Sequence, residues 1–254
     1  MVYAMIENRQ EAEDRIEGKN AVMEALKAGR PIDKVYLAKG EQDKALRFIA
    51  QKAKAAGAVI SEVDRRKLDF MSVTHAHQGV IAVAALREYV TVADILASAK
   101  EKGEAPLVVV CAEISDPHNL GAIIRTAECV GAHGVIIPER RSVGLTPAAV
   151  KASAGACEYM KTVKVGNINR TIDELKERGV WIAGAAMDGD NAFAADLTGP
   201  IALVVGAEGD GISELTMKKC DLKLSLPMKG HIDSLNASVA AGVLMYAVMN
   251  ARNK

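Results

Sequence analysis

DLKLSLPMKGHIDSLNASVAAGVLMYAVM, spanning Asp221 to Met249, decides how the rest of the chain is read. An apolar run ends at Leu226, Pro227 stops it, a loop passes through Gly230, and a helix rich in Ala, Ser and Gly follows. The pattern predicts strand, loop, helix. Ser234 and Asn236 stand where the chain turns into the helix, so either can cap its free backbone N–H groups. That helix start carries partial positive charge suited to an electronegative group, although an ordinary capped core helix is spelled the same way. Ala237, Ser238, Ala240, Ala241 and Gly242 are small enough to let another backbone approach closely, so a second element is expected to pack against this helix.

The chain of 254 residues is half apolar and one quarter charged, which is globular and sufficient for one large or two ordinary domains. Cys111, Cys129, Cys157 and Cys220 lie far apart, with no CxxC pair and no zinc spacing, and read as reduced core thiols of a cytoplasmic protein. MVYAMIENRQEAEDR at the start is not a secretory signal, and no window has the apolar length of a membrane span. Net charge is zero but unevenly spread: residues 16 to 87 hold 13 Lys/Arg against 8 Asp/Glu, residues 88 to 254 hold 17 against 20, and residues 1 to 15 hold 2 against 4. The basic front part is a footprint for a polyanion as much as a solvated surface.

In chain order, residues 1 to 15 are polar, acidic and aperiodic, and read as a disordered lead-in. Residues 16 to 87 read as a small α/β domain: helix Asn20 to Lys27, strand Lys34 to Ala38, helix Asp43 to Ala56, strand Val59 to Val63, a helical turn near Arg66 to Met71, and strand Val80 to Ala84. Its Lys19, Arg30, Lys34, Arg65, Arg66 and Lys67 can line a surface for RNA phosphates. HAHQG, His75 to Gly79, has two histidines without a third ligand in view and reads as a polar turn, so no metal is expected. Residues 88 to 105, with a Val92 to Lys102 helix and the tail EKGEA, read as a linker.

From residue 106 to 254, apolar runs alternate with helices, the texture of a mostly parallel sheet covered on both faces. Strands are expected at Leu107 to Glu113, Gly134 to Ile137, Met160 to Val165, Val180 to Ala185, Ile201 to Val205 and Leu222 to Leu226. Thr171 and Glu174 read as a capping box, with Gly179 closing the helix. Two further motifs carry chemistry. In EISDPHNLGAIIRTAECVG, Glu113 to Gly131, the chain turns at Asp116-Pro117, Asn119 can cap, and Arg125 is either an exposed partner of Glu128 or a guanidinium placed to grip a phosphate or carboxylate. In IALVVGAEGDGIS, Ile201 to Ser213, a buried strand runs into Gly206, Gly209 and Gly211, and Ser213 caps the next helix. This is neither a dinucleotide nor a triphosphate signature, and Glu208 is an unusual residue for a plain tight turn.

NLGAIIRTA, VVGAEGDGIS and LPMKGHIDSLNASVAAG, in this order, resemble the SpoU (TrmH-type) family of 2'-O-ribose RNA methyltransferases over nearly the whole chain. IEGKNAVMEAL, KVYLAKG and HQGVIA are similar to the RNA-binding front domain, itself like a ribosomal protein fold, of members that methylate a guanosine in large-subunit ribosomal RNA. Ala237 where Val is usual and Leu226 where Ile is common are the departures, and neither removes a polar group. The resemblance implies a SPOUT-type domain whose C-terminal segment is threaded into a deep trefoil knot, binds S-adenosylmethionine there, and forms a homodimer. It further implies that Gly206, Leu226 and Leu235 contact the methyl donor and that Asn119, Arg125, Glu208, Ser234 and Asn236 form the catalytic cluster. Transfer RNA as substrate, or a non-catalytic RNA-binding role, are the alternatives. A nucleotide-dependent dehydrogenase would want a glycine-rich turn where Asp116-Pro117-His118-Asn119 stands.

Overall fold

The computed structural model describes residues 13–40, 43–85, 88–207, 209, 211–232 and 234–253. They form two compact units: residues up to Glu88 with Leu145–Tyr159, and Tyr89–Gly144 with the chain from Met160 on.

The first unit contains β1 (Glu13–Glu17), α1 (Lys19–Lys27), β2 (Ile32–Ala38), α2 (Lys44–Ala55), β3 (Val59–Val63), α3 (Arg65–Met71) and β4 (Val80–Ala85). The strands pair in the order β1-β4-β2-β3, antiparallel except for β2 with β3. Alternation along β2 sorts its side chains. Val35 and Leu37 join Leu46, Ile49 and Ala53 of α2 in the main core, while Tyr36 packs on the smaller cluster with Leu68 of α3. The strand Glu13–Glu17 begins inside the stretch read as a disordered lead-in; the earlier residues of that stretch lie outside the described ones. Polarity misled the reading there, because Asp14 and Glu17 are buried carboxylates satisfied by distant partners. Glu17 accepts from Ser72 Oγ at 2.6 Å, from Val73 N at 2.7 Å, and from both the backbone and hydroxyl of Thr74. Asp14 pairs with Arg30 at 2.7 Å, and Arg30 also reaches Glu158 at 3.4 Å.

Glu158 belongs to Leu145–Tyr159, which the sequence reading had left in the second domain. Within this segment lie α6 (Pro147–Ala152) and a 3-10 turn, Ala156–Glu158. Besides the Arg30–Glu158 pair, further contacts join it to the first unit. Lys151 Nζ donates to Ala76 O at 2.7 Å, Tyr159 OH donates to Glu24 at 2.9 Å, and a Cβ at Gly155 would stand 2.3 Å from that of Glu24. Arg30 and Lys19, the latter ion-paired with Asp43, are therefore occupied by the fold rather than displayed for RNA. His77 is buried, with Nδ1 accepting from Gly79 N and Nε2 against Asp69, as a polar turn requires. Among the described residues no group of three or more His, Cys, Asp and Glu could hold a metal ion.

The second unit contains α4 (Val92–Lys102), β5 (Leu107–Cys111), α5 (Pro117–Cys129), β6 (Gly134–Pro138), β7 (Thr162–Val165), α7 (Ile168–Glu177), β8 (Trp181–Asn191), β9 (Ile201–Val205), α8 (Glu214–Lys219), β10 (Leu222–Ser225) and α9 (Ala237–Arg252). Its strands run in the order β10-β8-β9-β5-β6-β7, every pair parallel. β5, β6 and β9 are buried throughout, which explains their unbroken apolar spelling. Helix α4 is no linker. Val90 bridges to Val163, and Ile95 lies so close over the sheet that a Cβ at Gly134 would meet its Cδ1 at 2.2 Å.

One helix start and one strand end differ from the sequence reading. Asn167, not Thr171, caps α7 by accepting from Arg170 N, and Thr171 is a buried residue one turn inside, donating to Asn167 O. β8 also runs on to Asn191, because β10 pairs along it as far as Ser225. Among the described residues no helix is long and apolar enough to cross a membrane.

Burial alone would push the Glu17 carboxyl up, yet hydrogen bonds from Ser72, Thr74 and Val73 together hold it below its ordinary 4.5. A depressed folded-state value contributes stability above the unfolded value and loses it as pH falls. Thermal unfolding should therefore show Glu17→Gln less stable than the wild type at pH 7, with the gap narrowing as pH drops below about 4.5; a gap constant with pH would refute the assignment.

Candidate functional site

Because β5, β9 and β10 run in the same direction, the segments 112–116, 206–213 and 226–236 all leave the sheet at its carboxyl edge, where open α/β sheets place their ligands. The first leads into α5. Asp116 is its cap, accepting from His118 N at 2.9 Å, with Pro117 in the first turn. The His118 backbone N–H, aided by its ring, holds the Asp116 carboxyl below its usual range. Asn119 is thus not the cap but a buried residue inside the helix, which frees its side chain to reach elsewhere.

It reaches Asn236. Asn236 Nδ2 donates to Asn119 Oδ1 at 3.0 Å, while Asn236 Oδ1 accepts from Ser238 N at 3.0 Å, Val239 N at 3.3 Å and Ser238 Oγ at 2.7 Å. One amide group therefore closes the start of α9 and ties it to α5. Ser234, the other candidate cap, is exposed and leaves that role to Asn236. Residues 117 places apart are joined by a single hydrogen bond.

The glycine loop after β9 closes on itself. Ala207 and Gly211 exchange two backbone hydrogen bonds of 3.1 Å, and a Cβ at Gly206 would lie 2.1 Å from Gly211 C and O. Gly206 is needed for this close crossing, and Gly209 and Gly211 for their φ of 85° and 64°. Glu208, read as a site residue, lies outside the described residues.

The third loop is open. Leu226 is half-buried and Leu235 is 39 % exposed, and among the described residues no backbone group from Pro227 to Leu235 hydrogen-bonds to backbone. Apolar side chains and a loop backbone stand together beside a helix start.

Arg125 is exposed, and no ion pair with Glu128 forms among the described residues. At about 100° per residue it lies about 60° around α5 from Ala122. Ala122 and Thr126 face Phe193, Val239, Gly242 and Tyr246 across a groove of about 590 Å³. The structure thus joins Asn119 to Asn236, gathers Gly206, Leu226, Ser234 and Leu235 in loops of one sheet edge, and leaves Arg125 at the surface beside the groove.

Two features were missed in the sequence. Arg252, at the far end of α9, donates to Ala105 O at 2.8 Å, Pro106 O at 2.9 Å and Gly199 O at 2.7 Å. Its signal was a lone cation ending an otherwise uncharged helix. The groove was foreshadowed by the all-round apolar character of α9, which leaves Val239 and Tyr246 about half exposed. Burial pushes the Cys111 thiol up to about 12, and burial with the neighbouring Asp221 pushes Cys220 to about 11, so neither offers a thiolate nucleophile.

Residues 106–246 match the SpoU rRNA methylase family, and residues 15–90 match the family described as RNA 2'-O ribose methyltransferase substrate binding. The chain belongs to the SpoU rRNA methylase family. It is 46 % identical over 241 residues, covering 94 % of this chain and 96 % of the relative, to YacO of Bacillus subtilis strain 168, provisionally assigned as a TrmH family tRNA/rRNA methyltransferase. The crystal structure of the SpoU methyltransferase AviRb from Streptomyces viridochromogenes, in complex with the cofactor AdoMet, superposes with a TM-score of 0.80 at 25 % identity, over 96 % of this chain and 92 % of that one. A TrmH/SpoU tRNA modifying enzyme of A. aeolicus, 29 % identical, gives a TM-score of 0.54 over 59 % of this chain and 77 % of its own.

Gly206→Ala should force the Gly211 backbone away and destabilise the second unit by about 1–3 kcal/mol, as overpacking does. Chemical denaturation checks this; an unchanged midpoint would show that the loop yields freely.

Proposed function

We propose that the chain is an S-adenosylmethionine-dependent methyltransferase acting on the ribose 2'-hydroxyl of a guanosine in large-subunit ribosomal RNA. The observation that carries the reading is the exit of three loops at one carboxyl edge of a parallel sheet, two of them tied by the Asn119–Asn236 hydrogen bond. The residues fit the donor. Leu226 and Leu235 offer apolar walls for an adenosyl group, and the loop backbone, which among the described residues makes no backbone hydrogen bond from 227 to 235, offers donors and acceptors for its polar edges. S-adenosylmethionine, when bound, supplies an electrophilic sulfonium methyl.

The chain's own groups do the remaining work. A ribose hydroxyl is a poor nucleophile until its proton is polarised or removed, and alignment of the reacting atoms is worth on the order of 7 to 11 kcal/mol at best. Asn119 and Asn236 hold each other in fixed orientations at the loop edge, with Ser234 two residues away to orient ribose or donor. A guanidinium keeps its proton at neutral pH, so Arg125 acts by clamping the RNA phosphate next to the reacting ribose and lowering the hydroxyl's pKa. The surface position of Arg125 suits a partner that arrives from solution.

The SPOUT-type knot and the homodimer belong to the same proposal. β10 lies at the sheet's edge beyond β8, yet α9, which follows it, packs against α5 and β9 in the middle. A chain that must return inward in this way supports threading through a loop. The groove beside Val239 and Tyr246 suits a second copy, whose docking would carry Arg125 into the interface. The likeness of the front part to a ribosomal protein fold supports ribosomal RNA, and a cytoplasmic location follows from that substrate. The mixed tRNA/rRNA assignment of YacO favours transfer RNA as the second reading.

Labelled donor incubated with ribosomal and transfer RNA separately, followed by mapping of the nuclease-resistant dinucleotide, tests substrate and atom together. Arg125→Ala should bind donor with wild-type affinity by calorimetry and lose methyl transfer by at least about 100-fold, a general-catalysis-sized effect; retained turnover removes Arg125 from the chemistry. Light scattering should give twice the monomer mass, and Tyr246→Glu in the groove should return it to monomer.

A further inference from the structure

Five residues, Ala112 to Asp116, turn β5 into α5, and they are anchored at several points. Ala112 N donates to Val205 O at 2.7 Å, and the Ile114 side chain is buried. The Ile114 carbonyl accepts two hydrogen bonds from the loop that follows β6, one from Val143 N at 2.9 Å and one from Ser142 Oγ at 2.8 Å. The same hydroxyl lies 3.4 Å from Val143 O, so its single proton is better placed on Ile114. β6 is the neighbour of β5 in the sheet and parallel to it, which brings this loop to the same carboxyl edge as the site.

Both loops are strained where they meet. Among the described residues five other than glycine have a left-handed backbone: His75, Gln78 and Ala154 belong to the first unit, and the other two are Glu113, with φ 64°, and Arg141, with φ 58°. Such conformations persist where the surrounding structure over-determines them, and they gather at functional sites. The Glu113–Arg141 ion pair does not supply that hold. Its atoms stand 3.8 Å apart and both side chains are more than half exposed, where a pair contributes little. The doubly bonded Ile114 carbonyl supplies it. Val143 N alone would satisfy a buried acceptor, so the bond from Ser142 is surplus to satisfaction and fixes direction instead. Thr146, four residues on, has an ordinary duty as the cap of α6, accepting from Ala149 N.

We infer that Ser142 is a positioning residue for the methyl transfer, acting through Ile114 on the start of α5. Pro117 opens that helix three residues past Ile114, so the direction of the Ile114 carbonyl sets where Asn119 meets Asn236 and where Arg125 is presented. This rests on the methyltransferase reading and adds to it a fourth loop, one that carries none of the three motifs. Ser142 touches neither donor nor ribose. Its effect is on geometry alone, and a displacement of about 1 Å at a reacting group is enough to cost about 100-fold in rate.

The test uses the full chain, labelled S-adenosylmethionine, and unmodified transcripts of ribosomal and transfer RNA as acceptors, at a temperature well below the lowest melting midpoint among the variants. Ser142→Ala should lower kcat about tenfold or more while KM for the RNA and the calorimetric donor affinity stay at their wild-type values. Ser142→Thr keeps the hydroxyl and should bring kcat back to within about twofold of the wild type. Arg141→Gln removes only the exposed ion pair and should leave kcat unchanged. The inference fails if Ser142→Ala turns over at the wild-type rate, if its loss appears in KM or in donor affinity instead, if Ser142→Thr does not restore it, or if Arg141→Gln loses as much. An active wild type beside a fully active Ser142→Ala removes this inference alone. A wild-type chain that transfers methyl to neither RNA removes the methyltransferase reading and the inference with it.

Discussion

Helix α9 is pinned at both ends by side chains that reach far back along the sequence, and the second unit's site depends on that pinning. At its start, Asn236 uses one end of its amide as a cap and the other to hold Asn119. At its finish, Arg252 gathers the carbonyls of Ala105, Pro106 and Gly199. The cap alone is worth about 1 kcal/mol, while burial of Leu244, Met245 and Val248 supplies most of the adhesion. What the polar ends add is position. Apolar contacts tolerate sliding, whereas a hydrogen bond between two amides fixes where the loop before α9 must stand.

A site built this way relies on prepared polar groups rather than on a reactive side chain. Burial keeps Cys111 and Cys220 as thiols. Rigidity comes instead from the Gly206–Gly211 crossing, which leaves no room for any side chain at the exit of β9, and from the parallel strands that deliver three loops to one edge. Beside these fixed parts lies the loop from Pro227 to Leu235, in which no described backbone group hydrogen-bonds to backbone. Fixed walls around adaptable backbone suit the holding of a polar small molecule.

The first unit handles charge by dividing it. Asp14, Glu17, Arg30 and Glu158 are drawn inside and satisfied there, so they contribute to stability and to nothing outside. Arg30 draws the 3-10 turn at Ala156–Glu158 into this unit, which is why a segment more than a hundred residues downstream belongs with it. The charged residues of α2 itself are all cations.

Much of this was written into local sequence. Unbroken apolar runs announced the buried parallel strands, Val59–Val63, Val92–Lys102 and Ile201–Val205 were legible to the residue, and the three motifs that define the family are contiguous strings. These features depend on near neighbours, through backbone geometry and side-chain periodicity. Long-range decisions were not legible. Polar spelling gave no sign that Glu13–Arg15 form a strand, since the distant Arg30 makes burial of Asp14 tolerable. Helix caps slipped by a few residues at Asp116 and Asn167 because Asn119 and Thr171 have the right chemistry for a cap and were claimed by other partners. The sequence by itself determined which elements form and which family they spell. Tertiary structure decided that Asn119 meets Asn236, that Gly206 serves its own loop, and that Leu145–Tyr159 joins the first unit, because each rests on a contact whose two halves carry no local mark of one another.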